Sequence, residues 1–168
     1  MILRVMIVED EDMIRNGLVK TLPWADMGCT VIGSAGDGKS GLEQIVERRP
    51  DVVITDIRMP EMDGFEMLER ALAVYRFHII IFTSYAEFDY AQKAISMHAY
   101  DYLLKPLDEK RLAELLARIR ETEEPEEQLE TPGSFSAEEL LKRVAYTDEY
   151  VETALRRIVA ASDTKLSI

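Results

Sequence analysis

Length, composition and charge limit what this chain of 168 residues can be. The length suits one domain of common size with a short appendage, and the formal net charge of −12 argues against a nucleic-acid-binding surface spread over the whole chain. The single cysteine, Cys29, cannot form an internal disulfide, and the amino terminus lacks the basic start of a signal peptide. No apolar run approaches the ~18 residues that span a bilayer. We therefore expect a cytoplasmic protein without membrane contacts.

Apolar segments alternate with segments of helical periodicity over the first 120 residues. The apolar segments predict strands near residues 2–8, 29–35, 51–56, 78–83 and 100–104. The helical segments lie near residues 12–22, 38–48, 63–74, 87–97 and 108–120. Turn, stop and cap residues, namely Asp37-Gly38, Pro50 and Asp108, mark the ends of several elements. The alternation predicts an α/β domain whose parallel sheet is covered by helices on both faces.

The composition changes after residue 120, where we place the end of the domain 1–120. Six of the ten residues 121–130 are glutamate, and Thr131-Pro132-Gly133-Ser134 follows them. This pattern predicts an acidic linker over residues 121–135. Ser136 and Glu139 then form a capping box, and the apolar residues behind them predict a short helical segment over residues 136–168.

The role of this helical segment is left open by its charges. One helix–turn–helix unit for DNA binding would fit, but Glu149 and Glu152 would lie early in its recognition helix and would repel DNA phosphates. We therefore expect DNA contact only through an output region that is absent or incomplete here. A truncated output region, or helices that dock on a partner or on a second protomer, are the alternatives.

Polar side chains stand at the carboxyl ends of four predicted strands. Glu9 and Asp10 follow the first strand, and Asp56 ends the third, an apolar run typical of a strand buried on both faces. Thr83 ends the fourth strand, and Lys105 follows the fifth. Open parallel sheets bind ligands at this edge, where carboxylates can hold a divalent cation and an ammonium can bind phosphoryl oxygens. The four strand ends therefore predict a site for a divalent cation and a phosphoryl group.

A second motif competes with this interpretation. Residues 33–40, with the sequence GSAGDGKS, satisfy the phosphate-binding P-loop pattern G-x-x-x-x-G-K-S between a predicted strand and a predicted helix. A P-loop ATPase is therefore the alternative from another functional class. It leaves the polar residues at the other strand ends unexplained, and the carboxylate of Asp37 would lie beside the bound phosphates.

Three stretches resemble the receiver domain of bacterial two-component response regulators: "LPWADMGCTVIGSAGDG", "DIRMPEMDGFEML" and "FTSYAEFDYAQKAISMHAYDYLLKP". The resemblance covers about residues 1–120, and its finer match is to receivers of AraC-type transcriptional regulators. It implies a flavodoxin-like, doubly wound sheet of five strands. It also implies that a sensor histidine kinase donates a phosphoryl group to Asp56, in a signalling switch with partly self-catalysed chemistry rather than in an enzyme.

The resemblance also implies a role for each residue of the site. Mg²⁺ is the expected cofactor, with Asp10 and Asp56 as direct ligands, Glu9 acting through a water molecule, and the backbone carbonyl of Arg58 completing the protein ligands. Many receivers carry aspartate at the position of Glu9, so its longer side chain could change how the metal is held. The remaining expected roles are phosphate binding by Thr83 and Lys105, a cis bond at Lys105-Pro106, an inward turn of Tyr102 when Thr83 moves, and tuning of the phosphate lifetime by Arg58 and Tyr85.

The output surface is predicted from charge. Residues 87–97, 100–104 and 108–120 carry both signs, with Lys93, Lys110, Arg111 and Arg118 against Glu87, Asp89, Asp101 and Glu114. Such a mixture suits a self-complementary interface in a homodimer favoured by phosphorylation. A phosphorylation-independent interaction module of the same fold is the other alternative that we carry forward.

Overall fold

The computed structural model describes residues 1–122, which form five strands and five helices in alternation. The strands are β1 (Leu3–Val8), β2 (Cys29–Ala35), β3 (Val52–Thr55), β4 (His78–Thr83) and β5 (Asp101–Leu104). The helices are α1 (Asp12–Thr21), α2 (Gly38–Arg48), α3 (Gly64–Leu72), α4 (Phe88–Ser96) and α5 (Glu109–Thr122). Neighbouring strands pair in parallel in the order β2-β1-β3-β4-β5. The predicted flavodoxin-like fold class is confirmed.

Two apolar cores hold helices on both faces of the sheet. Because successive residues of a strand point to opposite faces, Met6 and Val8 of β1 join the core under α2, α3 and α4, whereas Val5 and Ile7 join the core under α1 and α5. All four residues of β3 are buried, as its unbroken apolar sequence predicts. Burial of one large aliphatic side chain contributes about 1.5–3 kcal/mol to the stability of the folded state. The two cores therefore stabilise the sheet, including the edge that carries the polar residues.

Aspartate side chains fix where three of the helices begin. Asp37, Asp63 and Asp108 each accept a hydrogen bond from the backbone N–H three residues later, at 2.7, 2.8 and 3.1 Å respectively. These bonds satisfy N–H groups that have no partner within the first helical turn. The predicted cap role of Asp108 is confirmed, and the predicted turn at Asp37-Gly38 lies at the start of α2.

The strand order places the ends of β1 and β3 side by side. The chain leaves β1 for the edge strand β2 and then returns to β3 on the other side of β1. Val8 of β1 pairs with Thr55 of β3, and the backbone N–H of Asp56 donates to the Val8 carbonyl at 3.0 Å. Glu9 and Asp56 therefore follow paired residues, at the point where open α/β sheets bind their ligands.

Several element ends differ from the predictions by one or two residues, because hydrogen bonding rather than apolar character decides them. Asp51 precedes β3 instead of opening it, and its carboxylate accepts a hydrogen bond from the Arg4 backbone at 2.7 Å. Helix α5 continues through Thr122, two residues beyond the predicted domain end. The linker beyond that residue and the helical segment 136–168 lie outside the described residues. Within residues 1–122, none of the helices is both long and apolar enough to cross a membrane.

Candidate phosphoryl-transfer and metal site

Three carboxylates converge at the carboxyl ends of β1 and β3. Glu9 and Asp56 are almost completely buried, with 1% and 5% of their surface exposed, and Asp10 is partly exposed. One carboxylate oxygen from each of the three residues lies within 4.8 Å of the others. The predicted acid pair and acceptor are thus brought together, in a group with the hard oxygen atoms that Mg²⁺ prefers.

The Asp56 carboxylate is held by a donor on each oxygen. Oδ1 accepts a hydrogen bond from the Ile57 backbone N–H at 2.6 Å, and Oδ2 accepts one from the Lys105 ammonium at 2.9 Å. These bonds fix the orientation of the carboxylate at the end of β3. An oriented carboxylate with neutralising charge beside it is suited to nucleophilic attack on an anionic phosphoryl donor.

Lys105 brings a cation into the centre of the cluster. Its peptide bond to Pro106 is cis, and its backbone N–H donates to the Thr83 carbonyl at 2.9 Å. Its Nζ lies 2.8 Å from Glu9 Oε2 as well as 2.9 Å from Asp56 Oδ2. Burial alone would lower the pKa of the ammonium, but the ion pairs with Glu9 and Asp56 outweigh it and raise that pKa above its ordinary value. Lys105 is therefore a cation at neutral pH.

Glu9 combines a buried charge with unused acceptor capacity. Oε1 accepts a hydrogen bond from the Glu11 backbone N–H at 3.2 Å. Oε2 forms the ion pair with Lys105, but the angles of that contact are not those of a hydrogen bond, and the atom has no hydrogen-bond partner among the described residues. Burial raises the pKa of Glu9, although Lys105 and the Glu11 N–H act against it. A buried carboxylate oxygen without a hydrogen-bond donor fits the donor set of a hard dication.

Thr83 and Tyr102 meet at the backbone of Tyr85. Thr83 is fully buried, and its Oγ1 accepts a hydrogen bond from the Tyr85 N–H at 3.3 Å. Tyr102 is only 2% exposed, and its hydroxyl donates to the Tyr85 carbonyl. Burial, together with the negative charges of Asp56 and Glu87, raises the pKa of Tyr102. The hydroxyl at the end of β4 and the aromatic ring of β5 are therefore linked through the backbone of one residue, Tyr85.

The Arg58 side chain forms the rim of the site. Its Nε donates to the Tyr90 hydroxyl at 2.9 Å, its Nη2 donates to Glu87 Oε1 at 2.7 Å, and its guanidinium carbon lies 3.8 Å from the centre of the Tyr85 ring. Asp10, Arg58, Tyr85 and Tyr90 line one open cavity of about 430 Å³. Arg58 and Tyr85 are expected at the site from the sequence, whereas the contacts of Glu87 and Tyr90 with Arg58 are not. Their spacing of three residues, which places them on one side of α4, was the available signal.

The P-loop alternative is not supported by the geometry of residues 33–40. Gly33 lies within β2, so only Gly36 and Asp37 separate that strand from α2. The Asp37 carboxylate occupies the N-terminus of α2, where a phosphate would have to bind. A Cβ atom on Gly38 would lie 2.2 Å from the Met62 carbonyl oxygen, which shows that the backbone is packed too tightly to surround phosphate groups. The pattern is therefore a short strand-to-helix turn.

Comparisons with known proteins agree with this geometry. Residues 5–117 match the family described as the response regulator receiver domain. Over an alignment of 168 residues, the chain is 34% identical to the transcriptional regulatory protein HptR of Staphylococcus aureus strain N315. The alignment covers 98% of this chain and 66% of HptR. It therefore spans slightly less than two thirds of the length of that relative.

Two solved structures share the fold. The receiver domain of the response regulator AraT from Geobacillus stearothermophilus is 39% identical, with a TM-score of 0.66 over 73% of this chain and 95% of that domain. A LuxR-family DNA-binding response regulator from Staphylococcus aureus is 28% identical, with a TM-score of 0.63 over 70% of this chain and 98% of that structure. With the family match over residues 5–117, these likenesses show that the chain belongs to the response regulator receiver family and contains the receiver domain of a two-component signalling switch.

Proposed function

We propose that Asp56 accepts a phosphoryl group from a phosphohistidine of a sensor histidine kinase. The observation that carries the proposal is the environment of its carboxylate, which is buried at the end of β3, bonded to Lys105 at 2.9 Å and adjacent to Glu9 and Asp10. A carboxylate oxygen attacks phosphorus and forms a P–O bond. The P–N bond of the donor breaks, and the imidazole leaves with the electron pair and takes up a proton from water.

Glu9, Asp10, Asp56 and the backbone carbonyl of Arg58 are the groups that would hold Mg²⁺ at this edge. The ion, when bound, neutralises charge between the attacking carboxylate and the phosphoryl oxygens and orients the transferred group. The Oε2 atom of Glu9 supports this assignment, because it is buried and pairs with the Lys105 ammonium but accepts no hydrogen bond from the described residues. Because Asp10 is partly exposed and lines the open cavity, it is the side chain that can turn toward a ligand without losing a buried partner.

Lys105 and Thr83 are the proposed phosphate-binding and switch residues. The Lys105 ammonium is already within hydrogen-bond distance of Asp56 and can transfer a bond to a phosphoryl oxygen. If the Thr83 hydroxyl turns to donate to the phosphoryl group, its contact with the Tyr85 N–H is lost. The backbone carbonyl of the same residue, Tyr85, accepts the Tyr102 hydroxyl, so a movement of Thr83 reaches β5 through Tyr85. This is the proposed path from the acceptor to the output surface.

An apolar groove beside Lys105 is the proposed contact for the kinase helix that carries the histidine. The groove has a volume of about 570 Å³ and lies between α1 and the start of α5. Ile14 and Leu18 of α1, Phe82 of β4 and Pro106 line it together with Lys105. Since Lys105 also binds Asp56, a helix in this groove would present its side chains next to the acceptor. This continuity with the site favours the kinase over other occupants.

The output is proposed to be transcriptional, in a cytoplasmic regulator of the AraC type. The name of HptR as a transcriptional regulatory protein supports a transcriptional output, and the three stretches quoted from the sequence favour the AraC type. In the same proposal, residues 1–120 form the receiver, 121–135 the acidic linker and 136–168 a short helical segment. A homodimer favoured by phosphorylation would use the surface of α4, β5 and α5.

The charges of that surface need one revision. Asp101 is buried and bonds Arg111 at 3.2 Å, and Lys93 pairs with Glu69 of α3 at 3.4 Å. These residues therefore have partners within the same protomer. The side chains left exposed on the proposed interface include Asp89, Lys110, Glu114 and Arg118.

The proposal is tested by treating the protein with a small phosphodonor and Mg²⁺ and measuring its intact mass. The wild-type protein should gain one phosphoryl group, and Asp56→Asn should gain none because an amide is a poor nucleophile. Asp26→Asn, which changes an exposed aspartate of the α1–β2 loop, is the matched control and should be labelled like the wild type. Equal labelling of Asp56→Asn would refute the acceptor. Absence of labelling in the wild type would favour the phosphorylation-independent interaction module.

A further inference from the structure

The side chain of Arg58 joins the acceptor loop to the first turn of α4. Arg58 lies two residues after Asp56, and both of its side-chain hydrogen bonds cross to α4 or to the residue that precedes it. Glu87 is the N-cap residue of α4, yet its carboxylate makes no cap hydrogen bond to its own helix. Instead that carboxylate is held by Arg58 at 2.7 Å. The start of α4 is thus attached to the loop that follows the phosphoacceptor.

The attachment is of a kind that an added charge can break. About half of each partner's side chain is exposed, 47% for Arg58 and 50% for Glu87, and exposed ion pairs of this type contribute little to stability. A phosphoryl group on Asp56 would add at most about two negative charges near the Arg58 guanidinium. This guanidinium now pairs with a single carboxylate, that of Glu87. Guanidinium groups bind phosphate with two parallel hydrogen bonds, which favours the phosphoryl group in this competition.

The open cavity gives Arg58 a route toward the new charge. Arg58 and the metal-site residue Asp10 line the same cavity, and the Arg58 guanidinium carbon lies 3.8 Å from the centre of the exposed Tyr85 ring. A planar cation can slide over an aromatic face without losing that contact. The opposite end of α4 is secured separately, because Lys93 pairs with Glu69 of α3 and lies 5.1 Å from the Phe65 ring centre. A release by Arg58 would therefore affect the first turn of α4 most.

We propose that Arg58 is a positioning residue that latches α4 through Glu87 and Tyr90, and that a phosphoryl group on Asp56 opens this latch by drawing the guanidinium away from Glu87. The inference rests on the proposed function of Asp56 and adds a second path to the output surface. The path through Thr83 and Tyr102 reaches β5, whereas the path through Arg58 acts on α4 directly. The role belongs to the Arg58 side chain and is separate from its backbone carbonyl.

Hydrogen exchange of the full chain, before and after labelling with a small phosphodonor and Mg²⁺, tests the latch. In the wild type, phosphorylation should speed exchange of the amides of residues 91–94 by about two- to five-fold, which corresponds to the loss of an exposed ion pair. Arg58→Gln and Glu87→Gln should show this faster exchange before labelling and no further increase after it. Tyr90→Phe, which removes only the hydroxyl acceptor, should give a smaller increase of the same sign.

Two comparisons separate the latch from a general loosening of the surface. Arg70→Gln breaks a similar exposed pair, between Arg70 and Glu66 of α3 at 2.5 Å, and should respond to phosphorylation like the wild type. The double variant Arg58→Gln, Glu87→Gln should exchange no faster than either single variant, because both remove the same contact. Additive effects of the two changes would overturn the proposal, as would an unchanged response to phosphorylation in Arg58→Gln.

The intact mass distinguishes failure of the latch from failure of the acceptor. If the wild type gains a phosphoryl group and α4 exchanges as before, the latch is wrong and the phosphoacceptor assignment survives. If the wild type gains no phosphoryl group, the proposed function fails and the latch fails with it.

Discussion

The ammonium of Lys105 donates a 2.9 Å hydrogen bond to the carboxylate of Asp56, across the gap between the ends of β5 and β3. The two residues are 49 positions apart in the sequence. Only 9% of the Lys105 side chain and 6% of the Asp56 side chain are exposed, so this ion pair is shielded from water and salt. The lysine therefore contributes to the stability of the site as well as to its chemistry.

Replacing Lys105 with methionine should destabilise the protein, and Mg²⁺ should restore part of the loss. The variant leaves the carboxylates of Glu9 and Asp56 buried without their cation, and removal of one partner of a buried pair costs about 3–5 kcal/mol of stability. A bound dication would supply the missing positive charge. Urea unfolding in chelator and in excess Mg²⁺ measures both effects. A variant as stable as the wild type in chelator would contradict the assigned role of the ion pair.

The two acidic residues after β1 should differ in their effect on metal affinity. We expect Asp10→Asn to weaken Mg²⁺ binding by about 100-fold or beyond detection, and Glu9→Gln by about ten-fold, the lower end of what a change outside the direct ligands costs. The reason is that Asp10 faces the open cavity, whereas Glu9 is buried against Lys105. Titration of each variant with Mg²⁺ decides the matter, and equal losses would mean that Glu9 is also a direct ligand.

Gly64 should be intolerant of even a methyl group, because it packs against the backbone of Asp56. A Cβ atom at Gly64 would lie 2.1 Å from the Asp56 carbonyl oxygen. Gly64→Ala should therefore cost about 1–3 kcal/mol of stability through overpacking and should also slow labelling of Asp56. Gly17, in the middle of α1, has open space around it, so Gly17→Ala should stabilise the protein by about 0.5–1 kcal/mol. Thermal unfolding measures the stability of both variants. A less stable Gly64→Ala together with a more stable Gly17→Ala would support the close approach, and a loss of stability in both variants would contradict it.

The stability of the protein should fall at alkaline pH in part because of Cys29. Burial raises the pKa of this thiol to about 11 from an ordinary value of 9.0, and its Sγ donates to the Met27 carbonyl at 3.4 Å. The folded state favours the protonated thiol, so its contribution is complete below pH 9 and is lost as the pH rises toward 11. Between pH 8 and 10.5 the wild type should lose about 1–2 kcal/mol more than Cys29→Ser, which keeps a donor but does not ionise. Urea unfolding at each pH measures the stability of both proteins. An equal loss of stability in the wild type and in Cys29→Ser would refute this role of Cys29.

Dimer formation should depend on phosphorylation and on salt. The exposed charges of α4 and α5 would each contribute on the order of 1 kcal/mol or less across an interface, so the dimer should be modest and should weaken as the salt concentration rises. Charge reversal of Arg118 or of Lys110, which are both left exposed on the proposed interface, should impair the dimer. Lys20→Glu, on the exposed side of α1, is the control. Sedimentation of phosphorylated and unmodified protein measures each case, and a dimer indifferent to phosphate, salt and both reversals would remove this output mechanism.

Much of the site could be predicted because parallel topology converts order along the chain into proximity in space. Glu9, Asp56, Thr83 and Lys105 each follow or end an apolar run, and the carboxyl ends of parallel strands meet at one edge whatever the loops do. The P-loop pattern could be judged only in the folded chain. Whether Gly33 belongs to a loop or to β2 depends on pairing with β1, which no local pattern records.

The amino-acid sequence by itself determined the fold class, the order of the elements and the set of polar residues at the ligand-binding edge, because hydrophobic periodicity is a local property that strands and helices express directly. The tertiary structure alone decided which partners those residues take. In the folded chain, Glu9 is buried against Lys105, and Asp101 pairs with Arg111. Arg58 bonds to Glu87 and Tyr90. The partner of a long polar side chain depends on which backbones pack beside it, and that is settled by contacts between residues far apart in the chain.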